Sequence, residues 1–277
     1  MNVQKRSKIN QLEQDLPEGL LVDAPWLEKR GYYRSLRSQY VSAGWLEQPA
    51  RGVFRRPRGK PGWEQVVISL QTLLEFPVSV GGRTALELQG YAHYLPQSQK
   101  FVHLYADRKL SCWVFKLNLE QTFIAHNRLR LLPETRISPD LLSLDEPLSG
   151  SELLEGALRI NHWGQWKWPM VVSTPERACL EMLDELPDKE TFHMADVMVE
   201  GLVNLSPRRM QALLENCKSV KVKRLFFFFA ERHRHPWLAH IDRKKIDLGK
   251  GKRMLVKGGK FDSKYQITVP VALYGVQ

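Results

Sequence analysis

Arginine is concentrated in one short stretch of the sequence, YYRSLRSQYVSAGWLEQPARGVFRRP, which runs from Tyr32 to Pro57. The stretch holds five arginines and a single acid, Glu47, together with several serines and glutamines. The guanidinium fork of arginine pairs with the O6 and N7 atoms of guanine or with phosphate oxygens, and glutamine pairs with adenine. The stretch therefore has the chemistry to recognise a nucleic acid, if secondary structure presents these side chains together.

The charge of the whole chain is distributed unevenly. The net charge of +11 over 277 residues comes from two basic blocks. Residues 29–60 hold nine lysines and arginines against one acid, and residues 218–264 hold fifteen against four, whereas the remainder has seventeen against twenty-five, a net charge of −8. Two basic blocks on an otherwise acidic protein predict a surface for a polyanion, and nucleic acid is favoured over a membrane surface.

Two helices are predicted before the arginine-rich stretch. Residues 3–15 carry apolar residues at helical spacing, and a proline and a glycine end the run. Asp23 followed by Pro25 predicts the start of a second, short helix, because aspartate accepts hydrogen bonds from the free amides of a first turn and proline is tolerated there. We expect this helix to end at Gly31.

A third helix and a hairpin are predicted within the stretch itself. Residues 33–43 predict a helix, and residues 45–48 and 53–56 alternate as two strands around a turn. Three helices followed by a basic hairpin are the order of a winged helix-turn-helix. The predicted buried stripe of the third helix consists of Tyr33, Leu36, Tyr40 and Ala43, and its opposite face of Arg34, Ser35, Arg37, Ser38 and Gln39.

This arrangement predicts double-stranded DNA as a partner. The third helix would lie in the major groove, and the arginines of the hairpin would lie against phosphates or in the minor groove. Because water-facing helices are often rich in arginine and winged helices also bind proteins, a protein-binding module stays open as an alternative. The predicted DNA-binding residues are Arg34, Ser35, Arg37, Ser38 and Gln39 of the helix and Arg51, Arg55, Arg56 and Arg58 of the hairpin.

The rest of the chain predicts a second domain. The proline- and glycine-rich residues 57–62 predict a hinge between domain 1–58 and domain 63–277. Residues 63–170 have a mixed α/β pattern and residues 171–277 are helical and basic, so the predicted fold class is α+β with a winged helix-turn-helix first. Predicted helices are 63–74, 83–95, 174–187, 191–205 and 206–217, and predicted strands are 78–82, 101–107, 112–117 and 123–138.

The C-terminal part contains four consecutive phenylalanines and a basic tail. Phenylalanines 226–229 fit either a buried helix or a strand, and strand-like patches follow at 253–258 and 265–270. The cations between and around these patches form a predicted second basic surface in contact with solvent. Its members are Lys244, Lys245, Lys250, Lys252, Arg253 and Lys257, followed by Lys260 and Lys264.

A search for enzyme motifs finds one weak candidate. Gly81 and Gly82, between a predicted strand and a predicted helix, are typical of a nucleotidyltransferase site. That chemistry needs two or three carboxylates around Mg²⁺, whereas the next strand offers only Asp107, with Tyr105 where a second acid would lie. We therefore expect no enzyme activity, although a nucleic-acid-processing enzyme stays open as the less favoured alternative.

The histidines, cysteines and tryptophans carry little further signal. His233, His235 and His240 with Cys217 form a weak metal set beside arginines, so no metal or other cofactor is expected. Trp163, Trp166 and Trp168 could stack on a sugar or a base, but packing is favoured. The three cysteines Cys112, Cys179 and Cys217 are expected to be buried reduced thiols, and the chain, which shows neither a signal peptide nor an apolar span, to be cytoplasmic.

Three segments in this order give a resemblance to a known family. They are GWLEQPARGVFRRP, VGGRTALELQGYAHYLP and STPERACLEMLDELP, and the second and third are the more distinctive. With them the sequence resembles the AbiEi antitoxin family of bacterial abortive-infection systems, and the likeness spans nearly the whole chain. The resemblance carries no catalytic residues over to this chain.

The resemblance implies a winged helix that represses the protein's own operon at inverted repeats, followed by an antitoxin domain. That domain would neutralise a nucleotidyltransferase-like toxin encoded next door without forming a stable complex, the type IV arrangement. Three questions stay open: whether the second basic surface extends the DNA footprint or binds RNA, whether the chain dimerises before it binds DNA, and whether the α/β region instead senses a ligand in a one-component regulator.

Overall fold

The computed structural model describes residues 2–91, 100–135, 139–144 and 153–274. The ends of two predicted elements, residues 92–95 and 136–138, lie outside the described residues. Among the described residues, helices and mixed sheets alternate along the chain, which confirms the α+β class. None of the described helices is both long and apolar enough to cross a membrane.

The N-terminal region has the element order predicted for a winged helix-turn-helix, with one strand added. The Asp23 carboxylate accepts from the amide of Trp26 at 2.9 Å, which confirms the predicted cap of the second helix. The added strand pairs antiparallel with the second strand of the hairpin. The elements are α1 (Asn2–Asp15), β1 (Leu21–Asp23), α2 (Ala24–Lys29), α3 (Arg34–Ser42), β2 (Glu47–Ala50) and β3 (Val53–Arg55), and the sheet order is β1-β3-β2.

Helix α4 (Trp63–Gln71) lies between this small sheet and the next one. The hydroxyl of Ser69 accepts from the amide of Leu21 in β1 at 2.8 Å. On the other side, one apolar cluster continues from Leu12 in α1 through Val66 in α4 to Met170 in the next sheet. The two predicted domains therefore share a core, and whether they fold independently stays a prediction.

The second sheet has six strands and forms the centre of the molecule. Its order is β6-β5-β4-β9-β8-β7; β5–β6 and β4–β9 pair parallel and the other neighbours pair antiparallel. Helix α5 (Gly82–Leu88) follows β4, the first strand of this sheet along the chain. The strands are β4 (Val78–Val80), β5 (Phe101–Ala106), β6 (Thr122–Asn127), β7 (Leu153–Leu154), β8 (Leu158–Trp163) and β9 (Trp168–Ser173).

The strand predicted at 112–117 is wrong. Residues Cys112–Lys116 form a 3-10 helix, in which the amide of Val114 donates to the carbonyl of Ser111 at 3.1 Å. Because the backbone bonds locally and only Val114 of this helix is buried, the run does not join the sheet. Cys112 is exposed, which also corrects the expectation of a buried thiol, whereas Cys179 and Cys217 are buried.

The C-terminal part packs four helices and a small sheet into a second core. The four phenylalanines lie in helix α9 and all are buried, so the helix alternative is confirmed over the strand. The hydroxyls of Thr191, Ser206 and Ser219 cap the starts of the last three helices. The elements are α6 (Pro175–Asp184), α7 (Phe192–Glu200), α8 (Pro207–Asn216), α9 (Val220–Arg232), β10 (Arg253–Met254), β11 (Lys260–Asp262) and β12 (Ile267–Val269).

The contact between the central sheet and α6 is polar. Alternate residues of β5 point to opposite faces of the sheet, so that Val102 and Leu104 join the α4 side while Tyr105 meets α6. The Tyr105 hydroxyl donates to the carbonyl of Glu181 at 3.3 Å, and the amide of Gly82 donates to the Glu181 carboxylate at 3.0 Å. The glycine pair thus allows close approach of the chain to a buried acid.

A substitution at Gly81 tests this packing. Its φ is not positive, but an added Cβ would lie within 3.0 Å of both the Glu181 carboxylate and the Tyr105 ring. We expect Gly81→Ala to lower the free energy of unfolding by about 1–3 kcal/mol, the usual cost of overpacking, measured by urea denaturation. Gly201→Ala is the control, because its Cβ would be 3.5 Å from the nearest atoms. Equal stability of the two variants would contradict this account.

A buried histidine at the same contact predicts a pH dependence. Burial lowers the pKa of the His103 imidazole to about 4, and the neighbouring His126 acts in the same direction. The unfolded chain therefore takes up a proton near pH 6.5 that the folded chain resists. We expect the free energy of unfolding to fall, on the order of 3 kcal/mol, as the pH drops from about 6.5 to about 4.

The His103→Gln variant isolates this contribution. Its free energy of unfolding should depend less on pH over that interval than the free energy of the wild-type protein does, in denaturation curves taken at half-unit steps. His126 also pairs with Glu185 and lowers the pKa of that carboxyl group. At still lower pH, protonation of Glu185 therefore reduces the free energy of unfolding further, and it does so in both proteins. Identical pH profiles for the two proteins would exclude His103 as the source.

Candidate nucleic-acid interface

Helix α3 presents one polar face to solvent. Arg34, Ser35, Ser38 and Gln39 are all exposed, and no ion pair joins Arg34 to another residue that the structure describes. Residues at these spacings lie on one side of a helix. We call these four residues the helix face.

The loop before α3 fixes the orientation of the helix face. Tyr32 is fully buried, and its hydroxyl donates to the carbonyl of Lys8 in α1 at 3.1 Å. Gly31 turns the chain with a φ of +83°, a value that favours glycine. The helix face is therefore held by a packed turn that ties α2, α3 and α1 together.

The predicted buried stripe of α3 is partly wrong, and so is the accessibility of Arg37. Tyr33 is 68% exposed because it precedes the helix as its cap residue, and Ala43 at the other end is exposed as well. Arg37 is buried instead. Its guanidinium donates to the carbonyl of Tyr32 at 2.8 Å and pairs with Glu28 of α2 at 2.9 Å. Arg37 therefore joins the two helices, and its burial counts against the predicted base contact.

Two arginines of the hairpin also have structural partners. Arg55 is buried and pairs with Glu47, the residue opposite it in the hairpin, at 2.6 Å. Arg56 donates to the carbonyl of Leu16 at 3.3 Å and lies 3.4 Å from the carboxylates of Glu13 and Glu18. These arginines hold the hairpin together and against α1, and their phosphate contacts stay a prediction.

The remaining two hairpin arginines differ in accessibility. Arg51 lies in the turn between β2 and β3, is exposed, and has no ion pair with any residue in the described ranges. We call it the wing tip. Arg58 pairs with Glu18 at 3.6 Å and lies over the ring of Trp166 at 5.7 Å from the ring centroid, with its side chain 40% exposed. Arg58 is thus partly engaged and partly available.

Two exposed aromatic residues border the helix face, and sequence reasoning missed them. Tyr33 precedes α3, and Trp45, 45% exposed, follows it. Trp45 was predicted to begin a strand, but β2 begins at Glu47. The sequence offered one signal for their exposure. Both residues lie beside an end of the helix, where a side chain does not have to join the buried face of the helix.

The second basic block divides into a structural part and an exposed part. Arg224 is buried in α9 and donates to the carbonyls of Leu248 and Gly251, each at 2.7 Å. Lys223 donates to the carbonyl of Asp247 at 3.1 Å. The exposed part includes the predicted residues Lys244, Lys245, Lys250, Lys252, Arg253, Lys257, Lys260 and Lys264.

The structure accounts for the candidate enzyme motif without a metal. Asp107 forms a bidentate ion pair with buried Arg128 in place of a second carboxylate. The glycine pair serves the close packing at Glu181 described above. The residues considered at this motif thus have partners within the fold.

The histidines considered as metal ligands lie apart from Cys217. His233 pairs with Asp196 at 2.7 Å, and His235 bonds the carbonyl of Val199 at 2.7 Å. Within the described ranges, one other group of three possible ligands does come together, His103, His126 and Glu185.

That group forms a chain of hydrogen bonds across the sheet–helix contact. His103 Nδ1 lies 3.0 Å from His126 Nε2, and His126 Nδ1 lies 2.8 Å from a Glu185 oxygen. The nitrogen and oxygen atoms that face one another in this group are therefore already hydrogen-bonded to each other. Sequence reasoning missed the group because its members come from β5, β6 and the C-cap of α6, and only the tertiary structure, including the pairing of β5 with β6, brings them together.

The three tryptophans differ in their exposure to solvent. Trp168 is buried, and Trp163 stacks on it with ring centroids 6.2 Å apart, as expected for packing. Trp166 in the turn between them is 55% exposed. The packing interpretation holds for two of the three residues.

The contrast between Arg37 and Arg34 is testable. We expect Arg37→Ala to lower the free energy of unfolding by about 1–3 kcal/mol, because it leaves the buried carbonyl of Tyr32 without a donor. Arg34→Ala, an exposed change in the same helix, should stay within about 0.5 kcal/mol of the wild-type protein. Urea denaturation of both variants measures the difference, and equal stabilities would mean that Arg37 does not join the helices.

One solved structure has a similar fold. The crystal structure of the RV2827C protein from Mycobacterium tuberculosis is similar in fold, with a TM-score of 0.57 and 16% sequence identity over 97% of this chain and 92% of that chain. No curated protein matches the sequence.

Two family models match most of the chain. Residues 5–97 match the N-terminal domain of AbiEi antitoxin transcriptional regulators, and residues 155–270 match the AbiEi antitoxin of type IV toxin-antitoxin systems. The chain therefore belongs to the AbiEi antitoxin family, a family of transcriptional regulators from type IV toxin-antitoxin systems.

Proposed function

We propose that this protein represses its own operon by binding inverted repeats in the operator, and that it counteracts a nucleotidyltransferase-like toxin encoded next to it. The observation that carries the DNA-binding part is the helix face, whose Arg34, Ser35, Ser38 and Gln39 are exposed while the opposite side of α3 is packed. Family membership supports the regulator and antitoxin roles.

The helix face suits direct readout of bases. Arg34 and Ser38 lie one helical turn apart, as do Ser35 and Gln39, so that the four side chains follow the floor of a major groove. An arginine without an ion pair gains more from a guanine than a paired one, because no protein contact has to break first. Arg34 and Gln39 are the residues proposed to select bases.

The wing tip suits contact with phosphate. Arg51 lies in a two-residue turn between paired strands, so its position follows that of the hairpin. The Arg55–Glu47 pair stiffens this hairpin from within. Arg51 would then neutralise a backbone phosphate beside the groove, which adds affinity but no sequence information.

Inverted repeats require two copies of the chain, one for each half-site. The copies would bind either as a preformed dimer or as monomers that assemble cooperatively on the DNA. The protein would act in the cytoplasm, because its operator and the product of a neighbouring toxin gene would be found there. Neutralisation of the toxin would occur without a stable complex and would contribute to phage resistance by abortive infection.

Single substitutions test the assignment of the DNA surface. On a duplex from the protein's own upstream region, we expect Arg34→Ala and Gln39→Ala each to weaken binding by about 1–3 kcal/mol, because each removes a base contact. Arg51→Ala should weaken binding to all duplexes and reduce the slope of log K against log salt by about one unit. Fluorescence anisotropy over a series of salt concentrations measures both quantities.

The matched control is Arg208→Ala, which removes an exposed arginine of α8 that forms no ion pair or side-chain hydrogen bond with another described residue. Its removal changes the net charge equally but should leave specific binding almost unchanged. If Arg208→Ala weakens binding as much as Arg34→Ala, the effect comes from net charge alone, and the helix face does not read the sequence.

A further inference from the structure

The C-terminal sheet has one buried face and one exposed face. Ile267 and Val269 of β12 point into the core and are fully buried. Thr268 between them points outward, where it is paired in register with Met254 of β10 on one side and Phe261 of β11 on the other. Met254 is 73% exposed and Phe261 38% exposed. We call the row Met254, Thr268 and Phe261 the outer row.

One lysine lies against the ring of the outer row, and a second lysine–ring contact lies near the edge of the same sheet. The amine of Lys252 lies 5.2 Å from the centroid of the Phe261 ring. The amine of Lys260 lies 4.0 Å from the centroid of the Tyr274 ring, which is 37% exposed. Lys260 pairs in register with buried Val269, so its contact with Tyr274 belongs to the other face of the sheet, and the outer row offers the Phe261 ring with the Lys252 cation beside it.

This surface carries an excess of free positive charge. Residues 244–264 contain eight lysines and arginines against two aspartates. Lys250, Lys252, Arg253 and Lys257 are exposed, and none has an ion pair with a residue that the structure describes. Their charge is available to a polyanion.

We propose that the outer row and its lysines bind single-stranded nucleic acid, separately from the helix face. A duplex presents phosphates but hides the faces of its bases, so exposed rings gain nothing from it. A single strand presents both, and its bases stack on aromatic side chains while lysines contact the backbone. Phe261 is the stacking residue, and Lys252 and Lys257 contact phosphates.

The lysine–ring contacts are compatible with this role. An exposed lysine over a ring is held weakly and moves easily. When a base takes the face of Phe261, Lys252 would move to a phosphate of the same nucleotide or its neighbour. The free protein thus keeps the Phe261 ring covered by a flexible cation that becomes a backbone contact on binding.

The test uses the full chain and three labelled probes in fluorescence anisotropy at several KCl concentrations. The probes are a 12-nucleotide RNA of adenine and cytosine, which cannot pair with itself, the DNA of the same sequence, and that DNA annealed to its complement. We expect the single strands to bind at least several-fold more tightly than the duplex. Comparison of the RNA with the DNA strand shows which of the two is preferred.

Substitutions separate stacking from charge. Phe261→Ala should weaken single-strand binding about tenfold or more and leave duplex binding unchanged, whereas Phe261→Trp should retain it. Lys252→Ala should reduce the slope of log K against log salt by about 0.7 for a single strand. The control is Phe115→Ala, which removes another exposed phenylalanine, 49% exposed, from a different part of the chain.

Two results would overturn the proposal. Equal binding of duplex and single strand, with Phe261→Ala no different from Phe115→Ala, would mean that the tail attracts polyanions by charge alone and leaves the rings for a protein partner. Loss of single-strand binding on Arg34→Ala would mean that the helix face binds both ligands. Failure of operator binding on its own leaves this proposal intact, because the residues tested are different.

Discussion

Helix α4 is packed on both sides, and the positions of the other elements depend on it. Its residues from Val66 to Gln71 are buried, since β1 lies against one side and the central sheet against the other. Two polar side chains fix the two contacts. Ser69 accepts from β1, and the amide of Gln71 bonds Val78 of β4 and both backbone groups of Val171 in β9. A buried amide with all these partners tolerates little displacement.

The consequence of this packing is a fixed geometry between the winged region and the rest of the chain. The apolar cluster on the α4 side of the sheet includes Leu12 of α1 and Phe54 of β3 as well as Val102 of β5. A rigid connection means that a protein copy bound to DNA would also hold its C-terminal region at one place relative to that DNA. The two proposed nucleic-acid surfaces would then act at a defined distance from each other.

Ion pairs decide which arginines remain available for a partner. Arg37, Arg55 and Arg56 take acids within the fold, whereas Arg34 and Arg51 take none among the described residues. In a sequence all five look alike, because the acids that partner them are outside the basic stretch or across the hairpin. The charge of a block therefore overstates the charge of the surface that it forms.

Much of the fold followed from local sequence signals. The Asp23 cap and the α6 start at Pro175 were predictable, since capping acts within a few residues, whereas the run of four phenylalanines fitted a helix and a strand equally until the structure showed a helix. The side of α3 that is buried was predicted only in part, because apolar residues were assumed to face inward and Arg37 faces inward through its partners.

The features that the sequence did not reveal depend on strand pairing. The group of His103, His126 and Glu185 requires the parallel register of β5 and β6, and the outer row of Met254 and Phe261 requires two strands to meet on Thr268. Register is set by contacts distant in sequence, so no short pattern carries it. Structure was needed to place these side chains.

The most direct measurement is the ratio of the wild-type protein's dissociation constants for two duplexes, one from its own upstream region and one with the same bases scrambled, at one near-physiological salt concentration. The account predicts tighter binding to the upstream duplex by a factor on the order of 10³ or more, as is typical of sequence-reading regulators. Equal dissociation constants with the same steep salt dependence would contradict it, because the helix face would then contribute charge and no readout.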